Sequence, residues 1–168
     1  MNRRSVLLSF CITTRNRESY IGATLENLVS QATDEVEIVV LDAASTDGTR
    51  ETVEGFARRF PRLRYFRQET NEGVDRDYDR TVELAEAEYC WMMSDDDALA
   101  PGAVAEVLGH CREGFDLIVV MRKTGTANSP RSSGRDGSPS ARTAYTARPS
   151  RTVSSRTRRI TCPSSPAS

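Results

Sequence analysis

Three consecutive carboxylates, Asp95, Asp96 and Asp97, are the strongest chemical signal in this sequence. They follow a short apolar run, Tyr89–Met93, that is typical of a buried strand. Adjacent anions repel one another, and aspartate is a poor residue for strand and helix interiors. Mg²⁺ and Mn²⁺ bind carboxylate oxygens and commonly share them with substrate phosphates. One interpretation is therefore a divalent-metal site. The other is a solvated loop that caps a helix beginning near Pro101.

Other polar segments adjoin predicted elements in the same way. Thr13 to Asn16 follow the first apolar run, and Asp42 ends the second. A further polar segment, Asn71 to Asp77, leads into a helical pattern. In open α/β sheets, ligands collect beyond the carboxyl ends of the parallel strands. The sequence therefore predicts that these segments and the acidic triplet meet at one edge of one sheet.

Apolar periodicity predicts the elements that carry these residues. Continuous apolar runs indicate buried strands, and apolar residues at helical spacing indicate amphipathic helices. The predicted strands are 6–13, 36–41, 63–67, 89–93 and 115–121. The predicted helices are 18–32, one between Gly48 and Pro61, 74–85 and 104–111. This alternation predicts an α/β fold with a mainly parallel sheet.

Charge divides the 168-residue chain into two parts. Residues 1–121 hold 13 Arg against 23 Asp and Glu, a net charge of −10. Residues 122–168 hold nine Arg, one Lys and one acid, a net charge of +9. The acidic body argues against a nucleic-acid partner, because nucleic-acid-binding domains carry a basic surface. It also means that a diphosphate ligand would need a cation at its site.

The apolar pattern ends near residue 121. In residues 122–168, Val153 and Ile160 are the only aliphatic side chains larger than Ala. Such a segment buries too little surface to offset its ordering entropy, which predicts disorder. We therefore predict a domain at 1–121 followed by an Arg/Ser/Pro-rich disordered tail at 122–168. The abrupt change directly after a strand also suggests the hypothesis of a reading-frame shift in a GC-rich gene.

Cysteine usage and hydropathy point to a cytoplasmic protein. Cys11, Cys90 and Cys111 lie in apolar runs and no CxxC pair occurs, which indicates buried reduced thiols. The first apolar run is short and turns polar at Thr13, so it predicts a strand and not a signal peptide. No run approaches the roughly 20 apolar residues of a membrane span, so we predict at most peripheral association with the inner membrane face.

Four motifs, in this order and spacing, resemble family 2 glycosyltransferases. They are Ser9–Arg17 (SFCITTRNR), Val39–Thr49 (VVLDAASTDGT), Asn71–Arg76 (NEGVDR) and Ser94–Asp97 (SDDD). The stretch 71–99 is most similar to the abequosyltransferase-like branch, which is associated with bacterial O-antigen side-chain sugars. The resemblance covers residues 5–121 and implies the GT-A fold, a Rossmann-like nucleotide-sugar-binding domain.

The resemblance also implies roles for single residues at the nucleotide. Thr13, Thr14 and Arg15 would line the nucleotide pocket at the end of the first strand. Asp42 resembles the acid that hydrogen-bonds the base, although the second acid that many relatives carry is replaced here by Ala43.

The same reasoning extends to the diphosphate and the metal. Asn71, Gly73 and Arg76 would belong to a loop that closes on the nucleotide and the diphosphate. Asp95, Asp96 and Asp97 resemble the metal-binding DxD element, with Mg²⁺ or Mn²⁺ as the implied cofactor. Two registers stay open. Asp95 and Asp97 have the x-spaced pattern, whereas counting back from Pro101 favours Asp96 as the main ligand.

The implied activity is inverting transfer of a sugar from a nucleoside-diphosphate-sugar donor to a hydroxyl of a saccharide or lipid-linked saccharide acceptor. The metal would stabilise the charge on the leaving diphosphate. In this family the catalytic base lies on a later segment. Beyond Met121 the only acid is Asp136, so no base is assigned.

Two alternatives accompany this interpretation. A truncated, catalytically inactive nucleotide-sugar-binding fragment would carry all the donor motifs. A haloacid-dehalogenase-like phosphohydrolase is suggested by Asp47-Gly48-Thr49, but that chemistry needs a second acid two residues after Asp42. Ala44 occupies that position.

Overall fold

A computed structural model describes residues 6–120 and 145–147 of the chain. The strands are β1 (Leu8–Thr14), β2 (Val36–Asp42), β3 (Leu63–Arg67), β4 (Tyr89–Met93), β5 (Leu117–Val119) and β6 (Tyr145–Ala147). The helices are α1 (Glu18–Val29), α2 (Thr49–Arg59), α3 (Val74–Leu84) and α4 (Ala103–Glu113). Every helix and strand predicted from the sequence within residues 6–120 is present, and the bounds shift by a few residues.

The strands form one six-stranded sheet in the order β3-β2-β1-β4-β6-β5. Strand β1 pairs in parallel with both β2 and β4, and β2 pairs in parallel with β3. Strand β6 is antiparallel to β4 and to β5, between which it lies. The predicted α/β fold with a mainly parallel sheet is confirmed.

One face of the sheet carries the apolar core. Alternate residues of the inner strands, such as Phe10, Ile38 and Trp91, point to this face and pack with α1, α2 and α4. The Phe10 and Trp91 rings lie with their centroids 5.0 Å apart across β1 and β4. Two-sided coverage of the inner strands explains why β1 and β2 have almost continuously apolar sequences.

The opposite face is covered by α3, which packs on β1 and β2. This face includes a buried carboxylate, Glu37, which is only 2% exposed. Its oxygens accept hydrogen bonds from the Ser9 hydroxyl and the Glu86 amide, and Arg64 lies 3.3 Å away. These partners offset the cost of burying a charge, and they hold the segment between α3 and β4 at the amino end of the strands.

Beyond residue 121 the structure describes only residues 145–147, so the predictions of a disordered tail and of a domain boundary are tested there only in part. Residues 145–147, inside the segment for which disorder is predicted, form β6. The rest of that segment, Cys162 and the boundary between residues 121 and 122 lie outside the described residues, so the domain division and the frame-shift hypothesis stay predictions.

Within the described residues, no helix is long and apolar enough to cross a membrane. Cys11, Cys90 and Cys111 are buried free thiols, as predicted.

Candidate functional site

The carboxyl ends of β1, β2 and β4 bring the predicted site residues to one edge of the sheet. Thr14 and Asp42 are direct partners in the register of β1 and β2. Strand β4 lies on the other side of β1 and ends two residues before Asp95. The Arg17 Nε, at the start of α1, lies 3.6 Å from an Asp95 carboxylate oxygen. The convergence predicted from the sequence is therefore present for these three segments.

Asp42 has no exposed surface, and both of its carboxylate oxygens are engaged. Oδ1 accepts the Ser45 amide at 2.7 Å, and Oδ2 accepts the Tyr65 hydroxyl at 2.6 Å. The Arg67 Nε lies 3.7 Å from Oδ2. Burial and the hydrogen bond to Asp42 raise the pKa of Tyr65, so the phenol stays a donor at neutral pH. The carboxylate therefore holds the loop after β2, and because it has no exposed surface, a ligand reaches it only if its surroundings move.

The loops after β1 and β2 are joined by reciprocal hydrogen bonds. The Asn16 amide donates to the Ser45 hydroxyl at 2.9 Å, and the Thr46 amide donates to Asn16 Oδ1 at 2.8 Å. Asn16 and Ala44 both have left-handed backbone conformations, with φ of 52° and 58°. Non-glycine residues adopt this region at a cost of about 1–2 kcal/mol, so the surrounding bonds must hold them there. The two loops thus form one connected wall of the site.

The three acidic residues have different surroundings. Asp95 is 7% exposed and faces Arg17, whereas Asp96 is exposed and accepts the Ser94 hydroxyl at 2.5 Å. Asp97 is half-buried. Burial raises the pKa of Asp95, while the neighbouring Thr14 hydroxyl and Arg17 act in the opposite direction. The buried Thr14 hydroxyl meets no partner in normal hydrogen-bond geometry among the described residues.

These surroundings bear on the divalent cation that the fold family implies. Across residues 6–120 and 145–147, no three acidic, histidine or cysteine side chains converge into a complete metal site. Asp96 nevertheless offers an exposed carboxylate at the strand ends, and the Thr14 oxygen is unsatisfied in the same region. Mg²⁺ and Mn²⁺ are commonly held by one or two carboxylates together with phosphate oxygens. The donor set fits a cation shared with a phosphate ligand and does not fit a cage built from protein ligands alone.

The loop before α3 is the most exposed of the predicted segments. Asn71, Gly73 and Arg76 all lie on the surface. The Gly73 amide donates to Asn71 Oδ1 at 3.0 Å, and Gly73 has φ of 97°, a value that favours glycine. The loop is therefore shaped by its own residues. Arg15 is also exposed, and Thr13 is half-buried at the end of β1.

Sequence reasoning missed three residues that contact the predicted ones. Arg17 pairs with Asp95, while Tyr65 and Arg67 hold Asp42. Arg17 lies inside the first motif, and its charge beside an acidic site was a usable signal. Tyr65 and Arg67 gave no such signal, because their spacing of two in an edge strand is ordinary strand alternation.

A dehalogenase-type reaction has no support in this geometry. Asp42 is fully buried and bonded to protein donors, so it does not present a nucleophile. Asp47 Oδ1 accepts the Thr49 hydroxyl at 2.6 Å, and its Oδ2 accepts the Glu18 amide at 3.2 Å. Asp47 therefore connects the start of α1 to the start of α2.

The α/β fold with its strand-end motifs is that of a family of transferases, and the chain belongs to glycosyl transferase family 2. The sequence model of that family matches residues 9–162. The match extends past residue 121, where the sequence analysis places the end of the domain.

Among curated relatives, the chain is similar to abequosyltransferase RfbV of Salmonella typhimurium, with 36% identity over 122 residues that cover 70% of this chain and 36% of the relative. It is also similar to a GalNAc(5)-diNAcBac-PP-undecaprenol beta-1,3-glucosyltransferase of Campylobacter jejuni, with 27% identity over 64% of this chain and 35% of the relative. The chain thus spans about a third of the length of these relatives.

Solved structures agree on the fold. Residues 1–349 of S. aureus TarS superpose with a TM-score of 0.69 at 25% identity, covering 84% of this chain and 47% of that one. The same protein in complex with UDP-GlcNAc gives a TM-score of 0.67 at 26% identity, covering 76% of this chain and 37% of that one. The mannosyltransferase PcManGT of Pyrobaculum calidifontis, in complex with GDP-Man and Mn²⁺, gives 0.56 at 25% identity, covering 64% of this chain and 32% of that one.

Proposed function

We propose that this chain binds a nucleoside-diphosphate-sugar donor together with a divalent cation at the carboxyl edge of its sheet, as the donor-binding part of a glycosyltransferase. The observation that carries the proposal is the convergence of Thr14, Asp42 and Asp95 at adjacent strand ends. This is the position at which open α/β sheets bind ligands. The relatives crystallised with UDP-GlcNAc and with GDP-Man and Mn²⁺ share this fold.

The nucleoside side of the site is assigned to the ends of β1 and β2. Thr13, Thr14 and Arg15 line the nucleotide, and Asp42 shapes the base pocket. Because Asp42 has no exposed surface, its direct contact with a base requires the surrounding loop to move. The alternative is that the loop held by Asp42 contacts the base.

The diphosphate side is assigned to the acidic triplet and the loop before α3. Asp96 and Asp97 would hold Mg²⁺ or Mn²⁺, with Asp95 beside them, and the cation would neutralise charge on the leaving diphosphate. Asn71 and Gly73 lie on the exposed loop before α3, and Arg76 lies in the first turn of α3; together they would close over the nucleotide. Arg76 supplies a cation for a phosphate oxygen, the kind of partner that guanidinium groups bind well.

The acceptor is assigned by class alone. One relative is named an abequosyltransferase. Another is named a glucosyltransferase that acts on an undecaprenol-linked saccharide. We therefore assign a saccharide or lipid-linked saccharide hydroxyl as acceptor, in bacterial surface polysaccharide synthesis. We also propose a cytoplasmic location, with peripheral association at the inner face of the membrane.

Titration calorimetry on the 168-residue chain tests the donor site. Mn²⁺ alone should bind weakly, and UDP, CDP, GDP or dTDP should bind more tightly with Mn²⁺ than without it, because the phosphates supply the missing oxygen ligands. Asp96→Ala and Asp97→Ala should reduce this metal effect, while Asp79→Ala, an exposed acid on α3, serves as the control. Equal affinity with and without metal in all variants would refute the metal assignment.

A donor-binding chain without transfer activity is the second candidate, because no general base for the transfer step is assigned among the described residues. The chain spans about a third of its curated relatives. Transfer also needs a general base near the acceptor hydroxyl, which contributes roughly 10²–10⁴ in rate. No described residue is assigned that role. We expect saturable donor binding with sugar transfer near the background rate, and vigorous multiple turnover would exclude the inactive candidate.

A further inference from the structure

Helix α1 and the turn that directly follows it carry a row of polar side chains that meets the acidic segment 94–102, which we term the acidic loop. The row consists of Thr24, Asn27 and Gln31, at the spacing i, i+3, i+7 that places residues on one helical face. Within the acidic loop the backbone forms neither helix nor strand. Its polar backbone groups therefore need partners from elsewhere.

The polar row supplies such partners at three points of the loop. The Thr24 hydroxyl donates to the Asp95 carbonyl at 2.9 Å. The Asn27 amide group donates to the Leu99 carbonyl at 3.1 Å and accepts the Leu99 amide at 2.8 Å. Farther along, the Gly102 amide donates to the Gln31 side-chain oxygen at 3.0 Å.

This arrangement fixes both ends of the segment that bears the carboxylates. Thr24 is 2% exposed and anchors the first of the three acids through its backbone. Asn27 makes a two-point contact, which fixes orientation as well as distance, at a residue just beyond the triplet. Arg17, about two turns before Thr24, contacts the Asp95 carboxylate. The positions of the acids relative to the β1 and β2 loops thus depend on α1.

We infer that Asn27 and Thr24 are positioning residues for the cation and diphosphate, because they hold the acidic loop in the geometry that lets its carboxylates share a metal with the donor. This inference rests on the proposed donor-binding function. Groups that orient metal-binding side chains from behind typically contribute 10–100-fold to metal affinity. The nucleoside contacts at β1 and β2 do not involve this row.

The test compares nucleotide binding with and without metal. UDP, CDP, GDP and dTDP are titrated into the full 168-residue chain, in Mn²⁺ and in a metal-free chelated buffer, for the unmodified chain, Asn27→Ala and Thr24→Val. The control is Ser30→Ala, an exposed residue of the same helical segment whose hydroxyl donates only to the Asn27 carbonyl. In Asn27→Ala, the gain in affinity from Mn²⁺ should fall by about tenfold or more, with metal-free affinity unchanged.

Thr24→Val keeps the shape of the side chain and removes the hydroxyl, so it tests the inference even if Asn27→Ala does not fold. It should reduce the Mn²⁺ effect in the same direction, and Ser30→Ala should not. A full Mn²⁺ effect in both variants would overturn the inference and leave the proposed function intact. An equal loss of metal-free and metal-dependent affinity would also overturn it, because it would indicate general distortion. If the unmodified chain gains nothing from Mn²⁺ with any of the four nucleotides, the proposed function fails and the inference fails with it.

Discussion

The carboxylate of Asp42 shows how one buried charge organises the site. Its two oxygens accept a backbone amide from the loop after β2 and a phenol from β3. A buried carboxylate without such donors would be strongly destabilising, so the residue and its partners form one unit. Asp42 therefore has a structural function that any contact with a donor base must accommodate.

Replacing Asp42 with Asn should destabilise the chain. The substitution puts an NH₂ group either at the Ser45 amide, which can only donate, or beside Tyr65 and Arg67, where the charge paired with Arg67 is lost. The expected loss in the free energy of unfolding is about 1–3 kcal/mol, measured by urea denaturation. Tyr65→Phe removes a single donor to the same carboxylate and should cost less, about 1–2 kcal/mol. Asp79→Asn, the same change at an exposed position of α3, is the control and should be neutral. Neutral behaviour of Asp42→Asn would contradict the assigned bonds.

Between elements, the loops after β1 and β2 support each other through side chains. The Arg17 amide donates to the Thr49 hydroxyl at 2.8 Å, and the Gly48 amide donates to the Glu18 carboxylate at 2.5 Å. Helices α1 and α2 thus begin at a shared set of bonds. Left-handed residues at Asn16 and Ala44 lie within this set. Strain of this kind persists where the surroundings determine the backbone, and such places are often functional.

Two neighbouring alanines should respond oppositely to glycine. Ala44 has φ of 58°, so Ala44→Gly relieves strain of about 1–2 kcal/mol and adds unfolded-state entropy worth about 0.4–1 kcal/mol. The net effect should be neutral or stabilising by up to about 1.5 kcal/mol. Ala43 is 3% exposed with ordinary φ, so Ala43→Gly should cost about 1–2 kcal/mol through the lost methyl group and the added entropy. Urea midpoints of the two variants compare them directly. An equal loss in both would mean that the backbone at Ala44 is not strained.

Much of the arrangement of strands and loops was predictable from the sequence, for identifiable physical reasons. The apolar runs of β1 and β2 are long and covered on both sides, so their periodicity was unambiguous. Strand ends in a parallel sheet share an edge, which placed Asp42 and the acidic triplet together. The left-handed Ala44 was not predictable, because alanine has no preference for that conformation. The contacts of Asn27 with Leu99 were not predictable either, since they join residues 72 positions apart.

At the scale of the whole molecule, charge and coverage set the conditions for binding. The part of the chain that bears the site, residues 1–121, has a net charge of −10, which opposes the approach of a diphosphate. A cation at the acidic loop would offset this opposition locally.

The sheet is also unevenly covered. At its far edge Leu117 and Val119 are each more than half exposed, whereas Ile118 is buried against α4.

Strand β6 gives a prediction about the whole sheet. It lies between β4 and β5 and is the strand to which β5 pairs in the described sheet. Deleting residues 122–168 removes β6, which leaves β5 without a paired strand and exposes the edge of β4 beside Trp91. Several ladder hydrogen bonds at roughly 0.5–1.5 kcal/mol each imply a loss of about 3 kcal/mol in the free energy of unfolding.

The matched control is a chain that ends at residue 149, which keeps β6 and removes only residues 150–168. In that removed segment Val153 and Ile160 are the only aliphatic side chains larger than Ala, so little apolar burial is lost. Its urea midpoint should stay close to that of the full chain, while the midpoint of the chain ending at residue 121 falls. Three coinciding midpoints would show that β6 adds nothing to the sheet, and would favour the disorder predicted for all of residues 122–168. A fall in both truncated chains would instead place a stabilising contact beyond residue 149.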